Sequence, residues 1–353
     1  VIPDAPVFER IAHYFGCTYA VPVGSGTVGL CVLLRALGAA GRRVAIPALA
    51  CPNVAVAVCA AGAKPVLVDM SEATYDMSIE ALARTLDDSF SAVIVIDAFG
   101  FPSDVAGARE VAKHWGCVVI EDACQAYGGS VGGTALGARG DVGVVSFGYA
   151  KPLELGGGGA IVTDDDALAE RVRQAMPPRK RRLRSTIKNK MAVLLMKRGR
   201  YAAMIARDAH FRLLHYEFPR REMLVLEHTW DRWIRATARM RADLHAAGAY
   251  LASMHEVEPF AYTGRDWLPW RYSFKIAGNS DAEAFRRALA GYGVQSSRLY
   301  RPVTECLAVE VRRPIANAFA LADRTVNLIH RSTVEDAARL RESLGRASGL
   351  LKG

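Results

Sequence analysis

Two apolar runs with a helix-like stretch between them, Ala92-Val93-Ile94-Val95-Ile96, then Asp104 to His114, then Cys117-Val118-Val119-Ile120-Glu121-Asp122, decide how this chain folds. The runs are short, rich in Val and Ile, and lack polar alternation. Strands buried on both faces read this way, and they belong in a parallel sheet covered by helices. The same alternation extends upstream. Thr27 to Ala39 is helix-like and leads to Val44-Ala45-Ile46. Asn53 to Ala61 leads to Lys64-Pro65-Val66-Leu67-Val68-Asp69, and Ile79 to Leu86 leads to the run at Ala92. Downstream, Val142 to Phe147 and Gly159 to Thr163 read as two further strands, expected to be antiparallel at one edge. The expected architecture is α/β, a mostly parallel sheet in a large domain, with functional residues at the carboxyl ends of its strands.

The second half reads differently. Trp230 to Met254 is expected to be a long helix, and Trp270 to Ile276 a strand that opens a smaller C-terminal α/β domain. Phe285 to Leu289 and Val334 to Leu344 supply its helices. The division expected is a large domain over 1–225 and a linking helix plus small domain over 226–353, sizes that 353 residues accommodate. No apolar run reaches the roughly 18–20 residues of a membrane span. The seven cysteines form no CxxC pair and read as reduced, mostly buried side chains, and the eight histidines show no ligand spacing, so no metal is expected. No secretory leader is legible, and a cytoplasmic location is expected.

The net charge of +9 belongs to one segment. Arg171 to Arg207 holds thirteen Lys or Arg and no acid, and the rest of the chain is slightly acidic. This basic insertion, at about 176–207, includes an expected amphipathic helix from Ile187 to Ala206. One reading is a solvated surface. The other is contact with an anionic partner: a nucleotide-linked or carrier-bound substrate, or an acidic membrane surface that would place the protein at the membrane periphery. With no recognition motif and no interleaved aromatics, a nucleic acid partner is not expected.

Three blocks carry chemistry. Ser146-Phe147-Gly148-Tyr149-Ala150-Lys151 sets a lysine between a strand and the glycines Gly156 to Gly159. Asp122 ends a buried strand, where a carboxylate needs a cationic partner. Gly24-Ser25-Gly26-Thr27 opens a helix, so its backbone N–H groups and hydroxyls form an anion cradle, with Ser146 a second donor. An amine, a carboxylate and a phosphate cradle are what pyridoxal 5'-phosphate requires of a protein. Each block also has a plainer reading: Lys151 as a surface lysine, Asp122 as the cap of a helix from Ala123 onward, GSGT as a helix cap, and Gln125 as an ordinary helical polar residue. Glu121 should face away from Asp122.

These residues, with Gly62-Ala63-Lys64-Pro65-Val66, Glu121-Asp122-Ala123-Cys124-Gln125-Ala126 and Gly158-Gly159, resemble the DegT/StrS-type sugar aminotransferases, fold-type I pyridoxal phosphate enzymes. The resemblance covers about residues 7 to 170 well. It implies a Schiff base at Lys151, a ring-nitrogen contact at Asp122, a ring contact at Gln125, and phosphate contacts from Gly26, Thr27 and Ser146. It also implies a homodimer with shared active sites, and transfer of an amino group from glutamate or glutamine to a small keto sugar, often nucleotide-linked, or a keto cyclitol. The chain departs from the family pattern at four places. Cys51 stands where an aromatic usually stacks on the ring, and Gly157 where a glutamate is usual. Tyr216-Glu217-Phe218-Pro219-Arg220 lacks the asparagine that reaches the partner's phosphate, leaving Arg220 as its stand-in. Leu299-Tyr300-Arg301-Pro302 lacks a histidine. The same cofactor also serves dehydratases, epimerases and decarboxylases. The departures make a non-catalytic regulator on this fold the remaining alternative.

Overall fold

The computed structural model describes residues 6–176, 213, 215–262, 264, 266–278, 281–330 and 333–350. The basic segment from residue 177 onward, including the stretch expected to be an amphipathic helix, lies outside the described residues.

The first half alternates as its apolar runs require. Helix α1 (Pro6–Phe15) precedes β1 (Tyr19–Val23), α2 (Gly26–Ala36), β2 (Arg43–Pro47), α3 (Pro52–Ala60), β3 (Lys64–Val68), α4 (Ile79–Thr85), β4 (Phe90–Ile96), α5 (Val105–His114) and β5 (Val118–Asp122). A small hairpin, β6 (Ser130–Val131) and β7 (Thr134–Ala135), leads to β8 (Val142–Ser146), β9 (Gly159–Thr163) and α6 (Asp166–Ala175). Helix starts follow side-chain capping: Ser78 accepts from Ala81 N, Asp104 from Gly107 N and Asp165 from Leu168 N. The large sheet runs β1-β9-β8-β5-β4-β2-β3. From β3 to β8 its pairs are parallel, and β9 is antiparallel to both β8 and β1. Its strands are buried on both faces, which explains the missing polar alternation.

Three differences from expectation have physical reasons. β9 is not the edge, because β1 lies outside it. Tyr-Ala-Val-Pro-Val carries Pro22, which an edge strand tolerates but which hides the strand signal. No helix follows Asp122: Ala123 to Gly129 is a chain of turns ending in two glycines. The long helix α7 (Arg220–Ala252) starts ten residues earlier than expected, directly after Pro219. Its first turns expose Leu224 and Val225, which breaks the apolar periodicity there.

The C-terminal half builds a four-stranded antiparallel sheet from β10 (Val257–Pro259), β11 (Ser273–Ile276), β12 (Ser296–Ser297) and β14 (Thr325–Leu328), with α8 (Ala282–Gly291), α9 (Ala316–Arg324) and α10 (Val334–Leu350). Between β12 and β14, β13 (Glu310–Val311) returns to pair in parallel with β3 and becomes the eighth strand of the large sheet. Among the described residues no helix is long and apolar enough to cross a membrane.

Two buried polar clusters fix the carboxyl edge of the large sheet. Arg139 lies between Asp97 and Glu121, both fully buried, with Nη2 2.6 Å and 2.7 Å from their carboxylates. Its Nη1 donates to Ser103 O, and Glu121 also accepts from the N–H groups of Arg139 and Gly140. Removing one partner of such a cluster leaves uncompensated buried charge, a loss of about 3–5 kcal/mol. Arg139→Met should therefore lower the denaturant midpoint steeply, and a midpoint near wild type would contradict this role. The second cluster is Asp76, whose carboxylate accepts from Tyr262 Oη at 3.0 Å. Burial pushes the Asp76 carboxyl up to about 7. The native state thus holds this proton over a range where the unfolded chain releases it, and the contribution to stability fades as pH rises toward 7. Unfolding titrations at about pH 5 and about pH 8 should show Asp76→Asn gaining on wild type at the higher pH.

Candidate active site

The site forms where β4, β5 and β8 end. Ile96 lies beside Asp122 in register, so the residues that follow these strands meet at one edge. Asp122 is 5% exposed. Its Oδ1 accepts from Cys124 N at 3.0 Å, an Asx turn in place of the expected helix cap. Among the described residues it has no ion-pair partner. Glu121 points to the other face, into the Arg139 cluster.

The N-terminus of α2 converges on the same point. Ser25 is the N-cap, accepting from Val28 N at 3.2 Å, so the capping reading of GSGT holds at this residue. Thr27 is half-buried in the first turn. Gly26 is where contact is closest: a Cβ there would lie 2.6 Å from Cys124 Sγ and 3.1 Å from Ser146 Cβ. The helix start, the Asp122 turn and the end of β8 are thus brought together. Ser146 is 2% exposed, and its Oγ accepts from Gly148 N at 3.3 Å.

Lys151 follows Ala150, which is held at φ 52, and Ala150 N donates to Glu154 Oε2 at 3.0 Å. A non-glycine residue in the left-handed region stores local strain and is sustained by such contacts. Lys151 Nζ sits 5.8 Å from the centroid of the Trp270 ring and, among the described residues, has no ion-pair partner. Both Lys151 and Asp122 lie within electrostatic reach of Cys124. Burial first, then Asp122, holds that thiol well above its usual range, so it stays neutral.

Of the glycines after Lys151, Gly156 borders open space, whereas Gly157, Gly158 and Gly159 pack closely against protein. Gly158 has φ 90, and a Cβ on it would enter the Phe218 ring at 2.3 Å, while a Cβ on Gly159 would meet Gly26 N at 3.2 Å. Gly158 N also donates to Gly24 O and Gly24 N to Tyr216 O, lacing three loops together.

Gln125 uses both ends of its amide. Its Oε1 accepts from Phe99 N at 2.9 Å and its Nε2 donates to Tyr300 Oη at 2.9 Å. The donor expected on a cofactor oxygen is thus already engaged with a phenol. Burial, and then Cys51 close by, keeps the Tyr300 hydroxyl well above its usual range. Cys51 is half-buried at the start of α3 and within electrostatic reach of both Tyr300 and Cys124, so it belongs to the site. Arg220 is exposed in the first turn of α7 and, among the described residues, forms no ion pair with the site. Its neighbour Pro219 packs where a Cβ on Gly157 would point.

Sequence reasoning missed an aromatic column. Phe99, itself at φ 58, stacks between Trp270 (centroids 6.4 Å apart, planes within 1°) and Tyr300 (5.6 Å, 12°). Phe99 O accepts from Trp270 N and Arg271 N, which is why the strand expected from Trp270 starts only at Ser273. The position of Phe99 just after β4 is the signal that pointed to it. Nothing local marks Trp270 or Arg271.

The donor set fits pyridoxal phosphate. A buried carboxylate and a lysine, neither with an ion-pair partner among the described residues, and a glycine-paved helix start beside a buried serine are gathered within one cluster. The comparisons agree. Residues 5–341 match the DegT/DnrJ/EryC1/StrS aminotransferase family. The chain belongs to this family of fold-type I pyridoxal phosphate enzymes. It is 36% identical over 165 residues, 46% of its length, to the L-glutamine:2-deoxy-scyllo-inosose aminotransferase of Streptomyces fradiae, covering 39% of that protein. It is 34% identical over 168 residues, 47% of each chain, to the UDP-2-acetamido-2-deoxy-3-oxo-D-glucuronate aminotransferase of Pseudomonas aeruginosa. The chain thus spans less than half the length of these curated relatives. A sugar aminotransferase structure from Micromonospora echinospora superposes with TM-score 0.72 at 23% identity, over 98% of this chain and 92% of that one, a likeness of fold.

The packing at Gly158 gives a direct test. Gly158→Ala adds a methyl inside the Phe218 ring and strains a positive φ, and should destabilise by about 2–4 kcal/mol. Adding Phe218→Leu should recover the steric part only. A Gly158→Ala variant that melts with wild type would contradict this geometry.

Proposed function

We propose that this protein is a pyridoxal phosphate-dependent aminotransferase that moves an amino group from glutamate or glutamine to a keto sugar or keto cyclitol. The observation that carries the reading is Asp122: a buried carboxylate with no ion-pair partner among the described residues, placed in one cluster with Lys151, Gly26 and Ser146. When bound, the cofactor supplies an electron sink for the carbanion that forms at the donor's α-carbon. The protein's own residues do the rest. Gly26 N–H, the Thr27 hydroxyl and Ser146 Oγ hold the phosphate at the helix start, where anions are favoured. Asp122 would hold the ring nitrogen and, as an anion shielded from water, would favour its protonated form. Lys151 Nζ would anchor the cofactor in the resting protein and, as a free amine, would be the base for the donor's α-carbon proton. The buried Phe99 and Trp270 rings, with the half-buried Tyr300 stacked on Phe99, would limit water on the small-domain side.

The curated relatives named above act on a keto cyclitol and on a nucleotide-linked keto sugar, and these are the acceptor classes proposed here. A homodimer that completes the site is also proposed. In support, Tyr149, two residues before Lys151, is 73% exposed, and Leu224 in the first turns of α7 is 67% exposed. Apolar surface of this kind beside a catalytic loop suits burial against a second copy.

The test is mass spectrometry of protein incubated with pyridoxal phosphate and reduced with borohydride. The pyridoxyl mass should fall on the peptide bearing Lys151, and Lys151→Ala should abolish it. Glutamine or glutamate added before reduction should remove the visible band and the label. A preparation that takes up no cofactor, or a label on another lysine, overturns the reading.

A further inference from the structure

Helix α7 carries a line of uncompensated charge. Arg221, Arg232, Arg235 and Arg239 are all exposed, and among the described residues none of them forms an ion pair. At about 100° per residue, these four and the exposed His228 fall inside an arc of about 60°, and they span about 27 Å along the axis. The acids of α7 are used elsewhere. Glu227 and Asp231 lie 3.0 Å and 3.4 Å from Arg10, and Asp243 is paired with Arg341 of α10 at 2.7 Å. Glu222 sits about 100° round the helix from Arg221.

The shape of this face limits what fits it. The other side of α7 is held in the core, with Met223, Leu226, Trp230, Trp233 and Met240 buried, so the helix does not insert its apolar side into a bilayer. What it offers a partner is charge. One diphosphate would reach one or two of these arginines; a partner that meets all four must be anionic over about 27 Å. Between Arg221 and Arg239 no Phe, Tyr or Trp lies on the exposed side. The rings on which single-stranded bases stack, and the aromatic anchors of a protein interface, are therefore missing. A helix face is close to straight over this length, so a flat anionic surface meets all four arginines at once, whereas a nucleic acid backbone curves away.

We infer that the exposed face of α7 docks this protein on a membrane surface rich in anionic phospholipid. The attraction sums over the arginines near the surface and fades within a Debye length, about 8 Å at physiological salt. The run from Arg171 to Arg207, thirteen Lys or Arg without an acid, precedes the helix in the sequence and adds charge of the same sign. The inference does not depend on the aminotransferase reading.

The test is co-sedimentation of the full chain with vesicles of phosphatidylcholine, alone or mixed two to one with phosphatidylglycerol. Wild type should bind the mixed vesicles only, and salt raised from about 0.05 M to about 0.5 M should release it. Changing Arg232, Arg235 and Arg239 together to Gln should weaken binding about fivefold per arginine, about a hundredfold in all. The same three changed to Lys should keep it. The Gln variant should melt with wild type, because these side chains hold no partner. Wild type that ignores the mixed vesicles, or a Gln variant that binds them as wild type does, overturns the inference. So does a Gln variant that melts lower or changes its oligomeric state by light scattering, which would make the arginines structural or part of a contact between copies. Tighter binding to a random-sequence DNA duplex than to the mixed vesicles at equal salt would make the partner a nucleic acid and also overturns it. Cofactor capture at Lys151 should be the same in all three proteins.

Discussion

A carboxylate buried at the end of a central parallel strand, with no ion-pair partner among the described residues, is the constraint on which the site depends. Asp122 reaches that position because β5 pairs in register with β4 and β8, and because a turn closes over it at Cys124. Its neighbour Glu121 has the opposite fate. One residue earlier in a strand means the opposite face, and there Arg139 neutralises it together with Asp97. Adjacent acids thus meet opposite surroundings: Glu121 is paired in the core, and Asp122 stands at the candidate site without an ion-pair partner among the described residues.

The glycines serve this arrangement by removing volume. At Gly26 the helix start settles against Cys124 and Ser146, and at Gly158 the loop after Lys151 accepts the Phe218 ring. These contacts carry Lys151, Ser146 and the α2 N-terminus into one cluster with Asp122. The strain at Ala150 and Phe99 falls on both sides of that cluster. The C-terminal half is tied to the site by several hydrogen bonds, among them Gln125 Nε2 to Tyr300 Oη and the N–H groups of Trp270 and Arg271 to Phe99 O, and the Trp270 indole lies near both Lys151 and Arg271.

What was legible in the sequence follows from what is local. The Val- and Ile-rich runs of β2 to β5 announce a parallel sheet because burial on both faces leaves no polar positions. Lys151, Asp122, Gly26 and Ser146 were legible because each stands at the end of such a run or at the start of a helix. β1 was hidden by Pro22, and β13, with two residues, had no period to read. The plainer reading of Asp122 as the cap of a helix from Ala123 fails, because the turn at Cys124 and the glycines behind it prevail. Within the aromatic column Phe99 was marked only by its place after β4, and Trp270 and Arg271 were not legible. They depend on hydrogen bonds between segments more than 170 residues apart, and nothing in the local pattern of Trp270 or Arg271 anticipates Phe99 as their partner.

The most direct measurement is the nitrogen-15 chemical shift of the ring nitrogen in protein loaded with ring-labelled pyridoxal phosphate, compared between wild type and Asp122→Asn. The account predicts a protonated ring nitrogen in wild type and an unprotonated one in Asp122→Asn. The same shift in both proteins would contradict it.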